Sequence, residues 1–142
     1  MKSMKNTSGK LTDRFTFGKE ERLCSKKLFD KLFSNGTSFF VYPLKVIYVV
    51  TDHSGFSPVQ SAFAVSRKIF RKAVVRNLLK RRMREAYRLN KHLLYQSIGD
   101  QKLVMIFIYT GRETVGFIQI EKALKRALNM ISDNLSKFIP NP

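Results

Sequence analysis

Cysteine, histidine and acidic residues are all scarce in this chain of 142 residues. Its single cysteine, Cys24, excludes an intramolecular disulfide, and the two histidines add too few ligands for a Cys/His zinc cluster. The longest apolar runs, such as residues 104–109, are far shorter than the roughly 18–20 residues that span a bilayer. The basic N-terminus has no apolar segment behind it, so we expect a cytoplasmic protein without a secretory signal.

The ten acidic residues are scattered, and no Asp-x-Asp or Glu-x-x-Asp/Glu cluster occurs. A protein nuclease usually needs clustered carboxylates that hold Mg²⁺, or a His/Lys pair for acid–base work. Glu20 and Glu21 are adjacent, but neighbouring residues on a helix point about 100° apart. The chain also lacks a glycine-rich phosphate loop and a nucleophile elbow. The sequence therefore predicts no catalytic residue and no metal ligand in the protein itself.

Basic residues are abundant, since 27 Lys and Arg give a formal net charge of +17. The length is typical of one domain, and 44% hydrophobic and 12% aromatic residues can supply a core, which argues against a disordered basic tail. Lys and Arg bind polyanions because each neutralised phosphate releases condensed counterions. We therefore predict a nucleic-acid partner in preference to a membrane surface.

Over half of the net charge lies in residues 67–91, where eleven Lys and Arg accompany one acid, Glu85. Residues 67–98 contain no Pro or Gly and are rich in Leu, Ala, Arg and Lys, so they favour a helix. Spacing at 100° per residue separates an apolar arc from a basic one. The basic arc contains Arg76, Asn77, Lys80, Arg81, Arg84, Tyr87 and Arg88. The apolar arc contains Val74 and also Arg82, whose guanidinium we expect to reach water.

Four residues of the basic arc, Arg76, Lys80, Arg84 and Arg88, follow one another at i,i+4 positions. Like charges at this spacing repel, whereas ordinary solvated helix faces mix charges of both signs. A phosphate chain would supply the missing counter-charge. We therefore favour RNA or DNA binding over the alternative of a solvated helix surface.

A shorter amphipathic helix is predicted over residues 20–35. Its apolar face includes Cys24, Phe29 and Phe33, and the cysteine is interpreted as core filler rather than a reactive thiol. Gly36 suits the left-handed conformation that ends many helices.

Three strands and a last helix complete the prediction, at residues 38–50, 60–66 and 102–109 and from Gly116 until Pro140. Pro43 is expected near the start of its strand or on an edge. The third strand is apolar throughout, as in a strand buried on both faces. The order α-β-β-α-β-α indicates an α+β two-layer sandwich. Residues 1–13 are predicted to form a flexible basic arm, and residues 14–142 a single RNA-binding domain.

Two adjoining segments resemble the signature of the bacterial ribonuclease P protein subunit. Residues 63–68 read Phe-Ala-Val-Ser-Arg-Lys, and residues 72–88 carry the basic helix from Lys-Ala-Val-Val-Arg-Asn onward. The resemblance covers about residues 20–138. It implies a fold like domain 2 of ribosomal protein S5, with a left-handed β-α-β crossover that departs from the usual right-handed rule.

The resemblance also implies a function. In that family a large catalytic RNA, through its bound Mg²⁺ ions, cuts the 5′ leader from precursor tRNA, and one protein binds the RNA and the leader. Five residues match the family's contacts with the catalytic RNA: Arg76, Asn77, Lys80, Arg81 and Arg84. Arg67, Lys68 and Arg88 complete the expected RNA-binding set. Leu78 departs from the family pattern, which usually reads Arg-Asn-Arg here.

Phe29, Phe33 and Tyr48 match the family's leader cleft, together with Lys68. Single-stranded RNA is held by aromatic faces on which bases stack and by basic groups that follow the backbone. Periodicity alone favours core packing for Phe29 and Phe33, so both interpretations stay open. Two rival functions are a general RNA-binding or ribosomal protein and a DNA-binding basic helix, although no sustained heptads follow Lys91.

Overall fold

A computed structural model describes residues 17–53 and 57–138 as a mixed four-stranded sheet with helices. The strands are β1 (Thr37–Val41), β2 (Leu44–Val50), β3 (Val59–Val65) and β4 (Leu103–Tyr109). Their order across the sheet is β1-β2-β4-β3, in which only β3 and β4 are parallel neighbours. The predicted arm at residues 1–13 lies outside the described residues.

The described residues also form four α-helices: α1 (Lys26–Asn35), α2 (Ala73–Asn90), α3 (His92–Tyr95) and α4 (Phe117–Phe138). The predicted α+β fold is confirmed, and α2 lies between the parallel strands β3 and β4 in the chain. The left hand of this crossover stays a prediction. None of the described helices is long and apolar enough to cross a membrane.

The single strand predicted over residues 38–50 is wrong, because the chain turns at Tyr42 and Pro43 and forms the hairpin of β1 and β2. Proline has no N–H to donate and is therefore found at strand starts and edges. The Pro43 carbonyl accepts hydrogen bonds from the backbone N and the Oγ1 of Thr110, at 2.8 and 3.1 Å. The turn is thus fastened to the end of β4.

Strand β4 is apolar on both faces because helices cover both faces of the sheet. Alternate side chains of a strand point to opposite sides. Leu103, Met105 and Phe107 share one core with α2 and α4, whereas Val104 and Ile106 share a second core with α1. The prediction of a strand buried on both faces is confirmed. Helix α1 covers the second face of the sheet, and the predicted two-layer arrangement does not include this extra layer.

The helix predicted from Glu20 begins six residues later. Residues 19–21 form a 3₁₀ turn, and α1 starts at Lys26, where the Ser25 hydroxyl caps it by accepting from the Leu28 N–H at 3.3 Å. Between them the Leu23 N–H donates to the Ser61 carbonyl of β3 at 2.9 Å, so the segment covers the edge of the sheet. Cys24 is therefore exposed, and its interpretation as core filler is wrong.

A buried ion pair holds the 3₁₀ turn against the end of α2. Lys91 Nζ donates to Glu21 Oε1, and the Tyr95 hydroxyl donates to the same oxygen at 2.9 Å. The two charged side chains are only 2% and 11% exposed. Burial raises the pKa of Tyr95 above its ordinary value, so its hydroxyl keeps the proton that it donates. Such a pair is costly to break from one side, because the remaining charge stays buried without a partner.

We expect Lys91→Met to lower the free energy of unfolding by about 3–5 kcal/mol, since it leaves the Glu21 carboxylate buried and unpaired. Urea denaturation measures this change, with Lys31→Met on the exposed surface of α1 as the matched control. The double variant Glu21→Gln/Lys91→Met should regain much of the loss. A single variant within about 0.5 kcal/mol of wild type would contradict the assignment.

Candidate nucleic-acid interface

The basic helix α2 begins at Ala73, not at residue 67, because the chain after β3 first forms a polar turn. The Ser66 hydroxyl accepts from the Lys68 N–H at 3.1 Å, and the Phe70 N–H donates to the Ser66 carbonyl at 3.1 Å. The Phe70 ring packs edge-on against Tyr109, with centroids 5.7 Å apart. Arg67 and Lys68 are therefore exposed on a loop at the end of β3 rather than on the helix.

One face of α2 enters the core. Its buried residues are Leu79, Met83, Ala86, Tyr87 and Asn90. The placement of Tyr87 on the basic arc is wrong, since its ring is fully buried within 5.8 Å of the Phe17, Phe63 and Phe107 centroids. The placement of Val74 is also wrong. At 100° per residue it lies about 160° from the centre of the buried face, and it is 79% exposed.

The opposite face of α2 carries Asn77, Lys80, Arg81 and Arg84. Asn77, Arg81 and Arg84 are exposed, and Lys80 is half-buried. Within residues 17–53 and 57–138, none of these three cations forms an ion pair with an acid. The structure thus brings four of the predicted RNA-binding residues together on one accessible surface.

The two ends of the predicted basic row have partners inside the protein. Arg76 Nη1 donates to the carbonyls of Phe70 and Arg71 at 2.9 and 2.8 Å, so this side chain shapes the loop before α2. Arg88 pairs with Glu85, with Nη2 2.5 Å and Nε 3.1 Å from the two carboxylate oxygens. These hydrogen bonds lower the pKa of Glu85, so the pair is ionised at neutral pH. The prediction of four cations in a row without partners is therefore wrong at the two ends of the row, Arg76 and Arg88.

Arg82 joins α2 to the start of α4. Its Nη1 donates to the Val115 carbonyl at 2.7 Å, and the side chain is only partly buried, so the expectation that its guanidinium reaches water stays a prediction. Leu78, which replaces the family's second arginine, is half-buried and precedes Arg82 by one turn of the helix. Neither residue belongs to the exposed cationic surface.

Helix α1 crosses the sheet on its other side. It begins just after the segment that bridges to the edge strand β3, where the Leu23 N–H donates to the Ser61 carbonyl, and it ends beside the edge strand β1, which starts at Thr37. Leu32 is fully buried in the core that contains Ile47 and Ile106. Helix α1 therefore covers the middle of this face and leaves surfaces on both of its sides.

Gly36 allows α1 to end close against the sheet. Its φ of −74° excludes the predicted left-handed conformation. A Cβ at this position would lie 2.3 Å from the Leu32 carbonyl oxygen and 2.7 Å from Ile47 Cγ2. Glycine is required here because the end of α1 approaches β2 closely. The sequence pattern that ends a helix does not distinguish this requirement from a left-handed backbone conformation.

One side of α1 presents Phe29 and Phe33. Phe29 is half-buried against the sheet and Phe33 is 57% exposed, and their rings stack with centroids 6.4 Å apart. Core packing therefore describes Phe29 but not Phe33, and the leader-cleft role of both stays a prediction. Phe29 packs on the core, whereas Phe33 offers a ring to solvent.

The same side of α1 faces the end of the sheet at Pro43. Here a row of paired residues runs across all four strands, from Phe40 through Lys45 and Ile108 to Ala64. Phe40 is 67% exposed, and Lys45 Nζ lies 5.5 Å from the centre of its ring. We call Phe29, Phe33, Phe40 and Lys45 the aromatic surface. Sequence reasoning missed its last two members, although a lone lysine among the apolar residues of β2 was a signal.

Tyr48 does not belong to the aromatic surface. It lies on the opposite face of the sheet, is 6% exposed, and its hydroxyl accepts from Asn134 Nδ2 of α4 at 3.1 Å. Its neighbour Ile47 points towards α1 instead. The assignment of Tyr48 to the leader cleft is wrong because a shift of one residue reverses the face of a strand.

Comparison with known proteins shows the family of the chain. The family model described as Ribonuclease P matches residues 17–132. The chain belongs to this family. A Ribonuclease P protein component from Porphyromonas gingivalis is 36% identical over 129 residues, which cover 88% of this chain and 94% of that protein. Another from Chlorobaculum tepidum is 31% identical over 81% of this chain and 80% of its own length.

Solved structures of the family share the fold. The RNase P protein from Thermotoga maritima superposes with a TM-score of 0.62 at 26% identity, over 78% of this chain and 96% of that one. The RNase P protein from Staphylococcus aureus gives a TM-score of 0.58 at 22% identity, over 78% of this chain and 94% of that one. The family's fold therefore extends over most of the described residues.

We expect Gly36→Ala to lower the free energy of unfolding by about 1–3 kcal/mol, because the added methyl forces α1 away from the sheet. Gly116→Ala is the matched control, since nothing lies within 4 Å of the Cβ it would add. Thermal unfolding followed by circular dichroism measures both. Equal stability of the two variants would show that α1 does not need the close approach at Gly36.

Proposed function

We propose that this protein is the RNA-binding subunit of a ribonucleoprotein that removes the 5′ leader from precursor tRNA. Membership of the ribonuclease P protein family supports a role in tRNA 5′ processing. The observation that carries the finer proposal is the exposed face of α2, where Lys80, Arg81 and Arg84 have no acidic partner among the described residues.

The exposed face of α2 is proposed to bind the catalytic RNA, one protein to each RNA. Three cations on one helix face gain free energy from counterion release when they meet a phosphate chain. Asn77 lies on the same face and can donate to phosphate or ribose oxygens. Arg76 and Arg82 are proposed to support this face from within the protein, because Nη1 of each guanidinium donates to backbone carbonyls.

The aromatic surface is proposed to hold the single-stranded leader. Phe33 and Phe40 expose rings on which bases can stack, and Lys45 adds a cation 5.5 Å from the centre of the Phe40 ring. Arg67 and Lys68 lie at the same end of the sheet, on the loop that leads to α2. A leader on the aromatic surface and a catalytic RNA on α2 would therefore meet at this loop.

Mg²⁺ is proposed to be bound mainly by the RNA, which would carry out the cleavage. The described residues contain no group of three or more His, Cys, Asp or Glu side chains that could hold a metal ion. The role assigned to the protein is to bind and orient its two RNA partners.

Reconstitution with the cognate catalytic RNA at low Mg²⁺ tests the proposed function. Wild-type protein should raise the rate of precursor tRNA cleavage, and Lys80→Glu/Arg84→Glu should weaken RNA binding. Because two phosphate contacts are lost, the slope of log affinity against log salt should fall by about 2. Lys122→Glu/Lys125→Glu on the exposed side of α4 is the control with the same charge change.

Two results would count against this function. Wild-type protein that does not raise cleavage would exclude the ribonucleoprotein role and favour a general RNA-binding protein. An unchanged salt slope in Lys80→Glu/Arg84→Glu would exclude phosphate contacts by α2.

Phe33→Ala should narrow the difference in affinity between precursor and mature tRNA. Loss of one stacked base costs about 1–3 kcal/mol, or roughly 5- to 150-fold in affinity. Phe33 is 57% exposed, so truncation should leave the fold intact, and Ile118→Ala at 68% exposure is the control. Filter binding of both tRNAs measures the difference, and an unchanged difference would remove Phe33 from the leader site.

A further inference from the structure

A groove lies on the side of α1 that faces away from the aromatic surface, at the end of the sheet opposite to Pro43. It encloses about 900 Å³ between α1, the segment before it and the chain that follows β2. Its lining includes Lys27 and Lys31 of α1, Lys19 and Arg22 of the preceding segment, and Asp52. We call this space the basic groove.

The basic groove carries more positive than negative charge. Its four cations face two acids, Glu20 and Asp52. All four cations are exposed, and in the described ranges none of them forms an ion pair with an acid. Arg22 is oriented by the Phe17 ring, whose centre lies 6.0 Å from its guanidinium carbon. This excess of cations converging from two segments favours an anionic ligand.

The basic groove is separate from the aromatic surface. Phe29 and Phe33 lie on one side of α1, whereas Leu28 and Lys31 lie on the other and line the groove. No Phe or Tyr occurs among its described lining residues. Its one described aromatic ring is the imidazole of His53, which is half-buried and lies with Nε2 3.3 Å from the Pro58 carbonyl oxygen. The groove otherwise offers cations that can bind phosphate and groups that can form hydrogen bonds. Its chemistry therefore suits a sugar–phosphate backbone.

The spacing of its lysines agrees with such a ligand. Lys27 and Lys31 are four residues apart, which is about 6 Å along a helix. Successive phosphates of an extended RNA strand have a similar separation. Gln60 and Asp52 line the same groove and could exchange hydrogen bonds with ribose hydroxyls, which DNA lacks.

We propose that the basic groove binds a sugar–phosphate segment of RNA through Lys27, Lys31 and Arg22. This proposal rests on the proposed function. The segment has two potential sources with the same chemistry, namely leader nucleotides beyond those on the aromatic surface and a strand of the catalytic RNA. In either case RNA contacts both sides of α1.

The test compares Lys27→Glu/Lys31→Glu with Lys122→Glu/Lys125→Glu, which makes the same charge change on α4. Affinity is measured against salt for the catalytic RNA and for precursor tRNAs with short and long leaders. The groove variant should lower the salt slope by about 1.4, the value for two contacts with a single strand. A deficit that appears only with the long leader assigns the groove to the leader, and one that appears with the catalytic RNA alone assigns it to that RNA.

Equal effects of the two double variants, or no effect of either, would overturn the proposal. Lys27→Arg/Lys31→Arg keeps both charges and should retain wild-type binding, and circular dichroism checks that every variant folds. Cleavage by wild-type protein is measured in parallel. If wild type stimulates cleavage and the groove variant behaves as the control does, only the basic groove is refuted. If wild type itself fails, the proposed function is refuted.

Discussion

The burial of β4 on both faces is the constraint on which the rest of the structure depends. A strand that is apolar on both sides needs a covering layer on each. Helices α2 and α4 cover one face, and the ten-residue α1 crosses the other. Because α1 is short and lies across the strands, it covers the middle of its face and leaves both ends open. The aromatic surface and the basic groove are these two open ends.

The cations of the protein divide into two groups with different tasks. Lys91, Arg76 and Arg82 are engaged within the molecule, where they fasten the 3₁₀ turn, the loop before α2 and the start of α4. The cations of the α2 face and of the basic groove lie outside, without acidic partners among the described residues. Net charge alone cannot separate these groups, because a buried cation and an exposed cation contribute equally to it.

The parts of the fold that repeat with a clear period could be predicted from the sequence. Helix α4 repeats apolar residues at steps of three and four over its 22 residues, whereas β4 is indicated by its continuous apolar run. The wrong predictions concern residues whose orientation depends on neighbours that are distant in the sequence. Tyr48 changes face with a shift of one residue, and its alignment depends on the turn at Pro43. Tyr87 counts as polar on a helical wheel, yet its ring completes an aromatic cluster whose other members come from three distant segments.

Three of the described acids form contacts with α2 or with the residue that ends it. Glu21 is paired with Lys91, Glu85 with Arg88, and Glu121 accepts a hydrogen bond from Asn90. Each of these carboxylates is engaged in holding α2, so it is not free to repel a phosphate chain. The same contacts restrain side chains in the C-terminal half of α2, and a pre-organised surface loses less entropy when it binds. Under the proposed function, the internal ion pairs and the external cations therefore serve one purpose, which is to present a fixed row of positive charge to RNA.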